Sequence, residues 1–116
     1  MTVTIYHNPR CSKSRATLDL LRDRGIEPEI IEYLKTPPDA ATLDGLLDAL
    51  GMEPRDLMRK GEEPYKEHNL GDESLGRDEL LVAMVANPIL IERPIVVSGD
   101  KVALGRPPEA VLEILD

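Results

Sequence analysis

Tryptophan and phenylalanine are absent from this 116-residue chain, and cysteine occurs once. Without the two largest apolar rings, the core has to be assembled from Leu, Ile, Val and Met, enough for one domain at this length. A lone cysteine closes no internal disulfide, which excludes the stapled framework of small secreted domains. Two distant histidines and that cysteine offer no clustered ligand set, so no metal is expected. No apolar run approaches the roughly 20 residues of a membrane-spanning helix. The opening residues lack the charged-then-apolar pattern of a signal peptide, and a cytoplasmic location is expected. Positive charge is in the minority, with 14 Lys and Arg against 22 Asp and Glu and a net charge of −8. That balance argues against a general nucleic-acid-binding face. A glycine-rich phosphate loop is missing too. The arginine of a Cys-x5-Arg anion loop would fall on Thr17, so that loop is also absent.

What is present reads as alternating short elements. Residues 2–6 are β-branched and aromatic and predict a strand. Residues 12–24 predict a helix with Leu18, Leu20 and Leu21 as its buried stripe and Gly25 as its stop. Residues 28–33 predict a second strand, parallel to the first through a right-handed crossover. Leu43, Leu46, Leu47 and Leu50 fall on one helix face between Asp39 and Gly51. A short helical turn is expected at 54–59, a polar irregular stretch at 60–76, and a helix at 77–86 ended by Asn87-Pro88. Leu80, Leu81, Met84 and Val85 line one side of that helix. Strands at 94–97 and 101–104 around Ser98-Gly99-Asp100 predict a hairpin. Pro107 or Pro108 opens a last helix with Val111, Leu112 and Leu115 toward the core. The order is βαβ, a helical insert at about 38–87, then ββα. With the insert set aside, it resembles the thioredoxin fold, an α/β core whose four-stranded mixed sheet is flanked by helices. Residues 1–116 are expected to form one such domain.

Cys11 sits where this order ends a strand and starts a helix. Unpaired N–H groups in a first helical turn favour negative charge. They lower a thiol pKa from about 8.5 into a range of roughly 3.5–7.5. Residues 7–15 carry Arg10, Lys13 and Arg15 and no acid, in a chain that is acidic overall. Buried structural cysteines keep apolar company, and this one has almost none, so a reactive thiolate is expected. His7 assists it electrostatically if protonated, or is a satisfied polar residue at a strand end. Ser12 and Ser14 read as N-terminal caps, with Ser14 also placed to turn its hydroxyl toward the thiol. The Cys-Ser-Lys-Ser sequence has no second thiol to resolve a disulfide.

Arg59, Arg93 and Arg106 lie at element ends. Any one of them alone is an ordinary surface arginine. Arg93 and Arg106 are pinned by Pro94 and by Gly105 and Pro107 in tight loops, and a scaffolded loop is where function concentrates. The planar guanidinium fork suits an oxyanion.

Several blocks together resemble the glutaredoxin-coupled arsenate reductases, the ArsC family, in particular its short bacterial members. They are Ile5-Tyr6-His7-Asn8-Pro9-Arg10-Cys11 with Ser14-Arg15, Tyr33-Leu34-Lys35-Thr36-Pro37-Pro38, Leu57-Met58-Arg59-Lys60, the run Asn87 to Val97, and Arg106-Pro107-Pro108-Glu109 with the residues after it. The resemblance implies reduction of arsenate to arsenite, with glutathione as co-substrate, glutaredoxin as partner and no bound cofactor. It makes Cys11 the nucleophile, with His7 keeping it ionised and Ser14 hydrogen-bonding near it. Arg59, Arg93 and Arg106 become ligands of the arsenate and arsenite oxygens. By analogy with the fold, Pro94 becomes a structural cis-proline beside the thiol. Ser12-Lys13 departs from a Gly-Thr type pair in better-known members. Their C-terminal extension has no counterpart after Asp116, which is expected to remove only peripheral structure. Two other functions fit the same residues. One is a glutathione-dependent thiol oxidoreductase that does not use arsenate. The other is a non-enzymatic regulator that binds RNA polymerase.

Overall fold

Strand β1 (Val3–His7) is paired on both sides, parallel to β2 (Glu29–Glu32) and antiparallel to β3 (Ile95–Ser98). Strand β4 (Lys101–Leu104) completes a four-stranded mixed sheet in the order β2-β1-β3-β4. The computed structural model describes residues 2–115. It divides into two compact units, one made of the segments up to Thr36 and from Arg93 onward, the other of Pro37–Glu92.

In the first unit the period of two selects the core face. Val3 and Ile5 point the same way, and Val96, opposite Ile5 in the register, joins them. Helix α1 (Ser12–Asp23) covers this face with Leu18 and Leu21, and Val111 closes the cluster. Leu20 packs only at its margin. The buried stripe of α1 runs instead through Ser14, Thr17, Leu18 and Leu21, the i, i+3, i+4, i+7 rows of one helix face. Both polar members are satisfied: the Thr17 hydroxyl donates to the Lys13 carbonyl at 2.8 Å, and Ser14 is bonded as described below. Truncating Leu21, which is fully buried, to alanine would cost about 2–5 kcal/mol.

The hairpin turns through Gly99 and Asp100, with Ser98 paired to Lys101. Gly99 adopts φ 64°, the left-handed conformation that short hairpin loops demand. The expected last α-helix is a 3-10 helix, Pro108–Ile114. Its pattern explains the difference. In a three-residue repeat, side chains at i and i+3 eclipse, so Pro108, Val111 and Ile114 share a face. Val111 is buried there, Ile114 and Leu115 pack against the core, and Leu112 is half-buried.

The second unit is helical. Helix α2 (Ala40–Leu50) starts where Asp39 accepts the Thr42 N–H at 2.8 Å and stops at Gly51, burying Leu43, Leu46 and Leu47. Helix α3 (Glu63–Glu67) falls inside the stretch expected to be irregular. That stretch is tied down by Arg55, which donates to the carbonyls of Leu70 at 2.9 Å and Asp72 at 2.6 Å. Helix α4 (Arg77–Ala86) buries Leu80, Leu81 and Met84, while Val85 is half-buried. Arg77 bridges back to Asp44 at 2.7 Å and Asp48 at 3.2 Å on α2. The unit runs on to Glu92 because Met58 and Ile91 form an antiparallel bridge. The Arg59 N–H donates to the Leu90 carbonyl at 2.7 Å, and the Glu92 N–H to that of Leu57 at 2.8 Å. Among the described residues no helix is long and apolar enough to cross a membrane.

Candidate active site

Strand β1 delivers the chain to a tight turn that ends in the cysteine. The Asn8 side chain accepts the Arg10 N–H at 3.0 Å, and the Asn8 carbonyl accepts the Cys11 N–H at 3.0 Å. Asx turns of this kind fix the chain without help from neighbours. Cys11 is the N-cap of α1, in extended conformation, and its carbonyl accepts the Arg15 N–H at 3.0 Å. It is 8% exposed.

Ser14, one turn into the helix, fastens this turn to the strand. Its hydroxyl oxygen accepts the Asn8 N–H at 3.0 Å and lies 2.7 Å from Nδ1 of His7. Both groups are therefore held in place from one side chain. His7 is buried, and burial holds its pKa below 6.5, with Arg22 and Arg15 adding to the effect and Glu32 opposing it. The imidazole is consequently neutral at pH 7. Of the two expectations for His7, the geometry shows the satisfied polar residue at a strand end. The ring acts here as a hydrogen-bond partner of Ser14.

The sulfur itself is tuned by opposing influences. Burial pushes the Cys11 thiol up. The Ser14 main-chain N–H, the charge of Arg93, the Lys13 main-chain N–H and a hydrogen bond from the Arg93 side chain together bring it below its ordinary value. Two expectations change as a result. Ser14 acts on the thiol through its main chain, while its hydroxyl serves His7 and Asn8. The charge that matters comes from Arg93, more than eighty residues away in the sequence. Arg10, Lys13 and Arg15 have exposed side chains, and Arg15 is turned to the Pro9 carbonyl at 3.0 Å.

Arg93 precedes a cis peptide bond to Pro94, and Arg106 precedes a second one to Pro107. The two loops are joined, because Arg106 donates to the Arg93 carbonyl at 3.3 Å and the Gly105 N–H to the Pro94 carbonyl at 2.9 Å. Gly105 is where they meet α1. A Cβ there would stand 2.7 Å from Pro94 Cγ and 2.7 Å from Thr17 Oγ1. Only glycine allows so close an approach.

Cys11, His7 and Ser14 thus meet at the start of α1, Arg93 reaches the thiol from its loop, and Arg106 is tied to that loop through the Arg93 carbonyl. Arg59 belongs to the Pro37–Glu92 unit, where its guanidinium pairs with Glu62 at 3.0 Å. Asn8 and Gly105 were not singled out from the sequence as site residues. The Asn8-Pro9 pair is a readable turn signal; the closeness of Gly105 to α1 is a tertiary fact with no local signal. Among the described residues no group of three or more His, Cys, Asp or Glu side chains could hold a metal ion.

A cysteine of lowered pKa at the first turn of the first helix, beside a cis-proline loop on a mixed four-stranded sheet, defines a thiol site of the thioredoxin-like class. Within that class the sequence pattern of the ArsC family matches residues 6–114, and the chain belongs to that family. It is 61% identical to the uncharacterised protein YfgD of Escherichia coli K12, over 97% of this chain and 96% of that one. It is 50% identical to an arsenate reductase of Rhizobium meliloti, over 99% of this chain and 82% of the relative. Among solved structures, an arsenate reductase from Vibrio cholerae superposes with a TM-score of 0.96 at 56% identity, covering 99% of this chain and 98% of that one.

Proposed function

We propose that this protein reduces arsenate to arsenite through a Cys11 thiolate, with glutathione as co-substrate and glutaredoxin as the final thiol donor. The observation that carries the reading is the pairing of a lowered thiol pKa with two arginines on one joined loop pair. A thiolate favoured by N–H groups and Arg93 is the attacking form. Arsenate is itself negative, and Arg93 and Arg106 would offset its repulsion from the thiolate and orient the arsenic. A disulfide enzyme that handles neutral sulfur substrates has no need of that second arginine. The resemblance gives Arg59 a further place among the anion ligands, in competition with its partner Glu62.

The steps balance as follows. The Cys11 sulfur bonds to arsenic and a hydroxyl group leaves as water. The glutathione thiol replaces a second hydroxyl on arsenic, again releasing water. A glutaredoxin thiolate attacks the glutathione sulfur, a disulfide between the two forms, and the pair of the broken S–As bond stays on arsenic, now As(III). Hydrolysis frees arsenite and the Cys11 thiol. An outside thiol is required because the chain has one cysteine. A reducing cytoplasm would supply it.

The test is arsenate-dependent NADPH oxidation coupled through glutathione, glutaredoxin and glutathione reductase. A rate that saturates with arsenate and vanishes in Cys11→Ser is expected. A flat trace from folded protein whose thiol still titrates low would overturn the arsenate reading. Activity on a glutathione mixed disulfide, unaffected by Arg93→Ala, would then favour a general thiol oxidoreductase. Capture of purified RNA polymerase would favour the regulator.

A further inference from the structure

Arg59 is already engaged by an anion of the chain's own. Its main chain is fixed, because Met58 is bridged to Ile91 and the Arg59 N–H donates to the Leu90 carbonyl at 2.7 Å. The chain then folds back over Lys60 and Gly61, and the Glu62 N–H donates to the Arg59 carbonyl at 3.1 Å. This four-residue turn sets the Glu62 carboxylate 3.0 Å from the Arg59 guanidinium. The two side chains are only 25% and 28% exposed. In the surface pairs Arg22–Glu27 and Lys35–Glu32, by contrast, one member is 74% or 78% exposed. Helix α3 makes no claim on the same carboxylate. Glu62 is its N-cap residue, yet the side chain forms no cap hydrogen bond. Pro64 has no N–H to offer, and Tyr65 gives its own to the Glu62 carbonyl at 3.1 Å. Asp39, at the same position of α2, does cap its helix.

We propose that Glu62 is an internal competitor for Arg59, a carboxylate that an incoming tetrahedral oxyanion displaces and that sets how tightly arsenate is held. The inference rests on the reading above that gives Arg59 a place among the arsenate ligands. A carboxylate oxygen and an arsenate oxygen make the same kind of charge-assisted bond to a guanidinium. Exchanging one for the other therefore returns only the difference between the two. Glu62 opposes the anion in a second way, because its own charge lies beside the place the anion takes. The cover over the pair keeps solvent from screening that repulsion fully. The other use of such a pair is to orient the arginine. Here the turn and the hydrogen bond to Leu90 already locate Arg59, and its side chain is three-quarters covered. Glu62 consequently acts on affinity more than on placement, and removing its charge strengthens anion binding.

Two measurements test this. The first compares arsenate kinetics of Glu62→Gln with those of Glu63→Gln, which removes the same charge from an exposed neighbour. In Glu62→Gln the KM for arsenate should fall about three- to fivefold with kcat unchanged. Glu62→Ala, which removes the oxygens altogether, should lower it at least as far. Glu63→Gln should barely move it. The second titrates inorganic sulfate, a tetrahedral anion that the thiol does not reduce, into 15N-labelled wild type and Glu62→Gln. The Arg59 Nε–H signal should respond in both, with half-saturation about three- to fivefold lower in the variant. A higher KM or weaker sulfate binding in Glu62→Gln would overturn the proposal and make Glu62 an orienting residue. Equal effects of Glu62→Gln and Glu63→Gln would also overturn it, leaving only net charge. So would an Arg59 signal that ignores sulfate in both proteins. A wild type that does not reduce arsenate would sink the functional reading, and the sulfate titration would still decide whether Glu62 and an oxyanion compete for Arg59.

Discussion

Gly105→Ala is the sharpest test of how the site is built, because it adds one methyl group at a known place. The backbone at 105 does not have the positive φ that penalises alanine, so the effect is steric alone. The new Cβ would lie 2.7 Å from Pro94 Cγ, 3.1 Å from Pro94 Cδ and 2.7 Å from Thr17 Oγ1. Carbon atoms pack at about 3.5–4.0 Å, so the overlap on the proline ring is about 0.8 Å or more. Neither neighbour yields easily. Pro94 is a rigid ring, and Thr17 is fully buried with its hydroxyl committed to the Lys13 carbonyl. Overpacking of this kind costs about 1–3 kcal/mol, and contact on two sides places this case at about 2–3 kcal/mol. For a chain of this length that corresponds to a fall in melting temperature of about 8–12 °C. Calorimetry reads the stability, and the pH dependence of iodoacetamide alkylation reads the thiol. The strain pushes Pro94 outward and carries Arg93 with it, so the Cys11 midpoint should rise at the same time. Adding Thr17→Ala removes one of the two obstacles, and the double variant should recover part of the loss. An alanine variant with unchanged melting temperature and unchanged thiol midpoint would refute the reasoning.

Arg93→Ala should raise the Cys11 midpoint, whereas Lys13→Ala should barely move it, since Lys13 acts through its main-chain N–H; alkylation rates against pH check both. Ser14→Ala leaves His7 Nδ1 and the Asn8 N–H without their partner and should cost about 1–3 kcal/mol in urea unfolding, yet keep the thiol below its ordinary value. Arg106→Ala should mainly raise the KM for arsenate, read in the coupled assay. Stability should also depend on pH at both ends. His7 has a folded pKa below 6.5, so the unfolded chain takes up a proton first, and stability falls as pH drops through 6.5 toward the folded value. Cys11 has a folded pKa below 9.0, so stability rises with pH between that folded value and 9.0. Urea midpoints across pH, repeated with His7→Asn and Cys11→Ser, separate the two contributions.

Much of the fold was legible because its signals are local. Asp39 and Gly51 bound α2 as their chemistry dictates, and the Gly99 hairpin follows from a two-residue turn between β-branched runs. Where the reading failed, tertiary packing chose between options that the residues left open. Val111, Leu112 and Leu115 suit an α-helical face, but Pro108, Val111 and Ile114 suit a three-residue repeat equally well, and the sheet selected the latter. Helix α3 is one short turn in a polar stretch. Pro64 in its first turn was its only sequence mark.

The site shows the same division more sharply. Cys11 could be found from the strand-turn-helix order alone, because main-chain N–H groups at a helix start act on whatever residue stands there. The cations next to it in the sequence then looked like the reason for its reactivity. They are not, because side chains at successive positions of a helix's first turn fan outward. Lys13 and Arg15 point to solvent while their main-chain groups point along the axis. The charge that reaches the sulfur comes from Arg93, in a loop that the sheet order β2-β1-β3-β4 sets beside α1. Gly105 lets that loop close on the helix by carrying no side chain. A reactive thiol built this way depends on the fold being closed. A side chain added at Gly105, which touches no substrate in the proposed mechanism, should therefore alter the thiol midpoint as Arg93→Ala does. Charge changes at Lys13, one residue beyond the sulfur's immediate neighbour, should leave it nearly still.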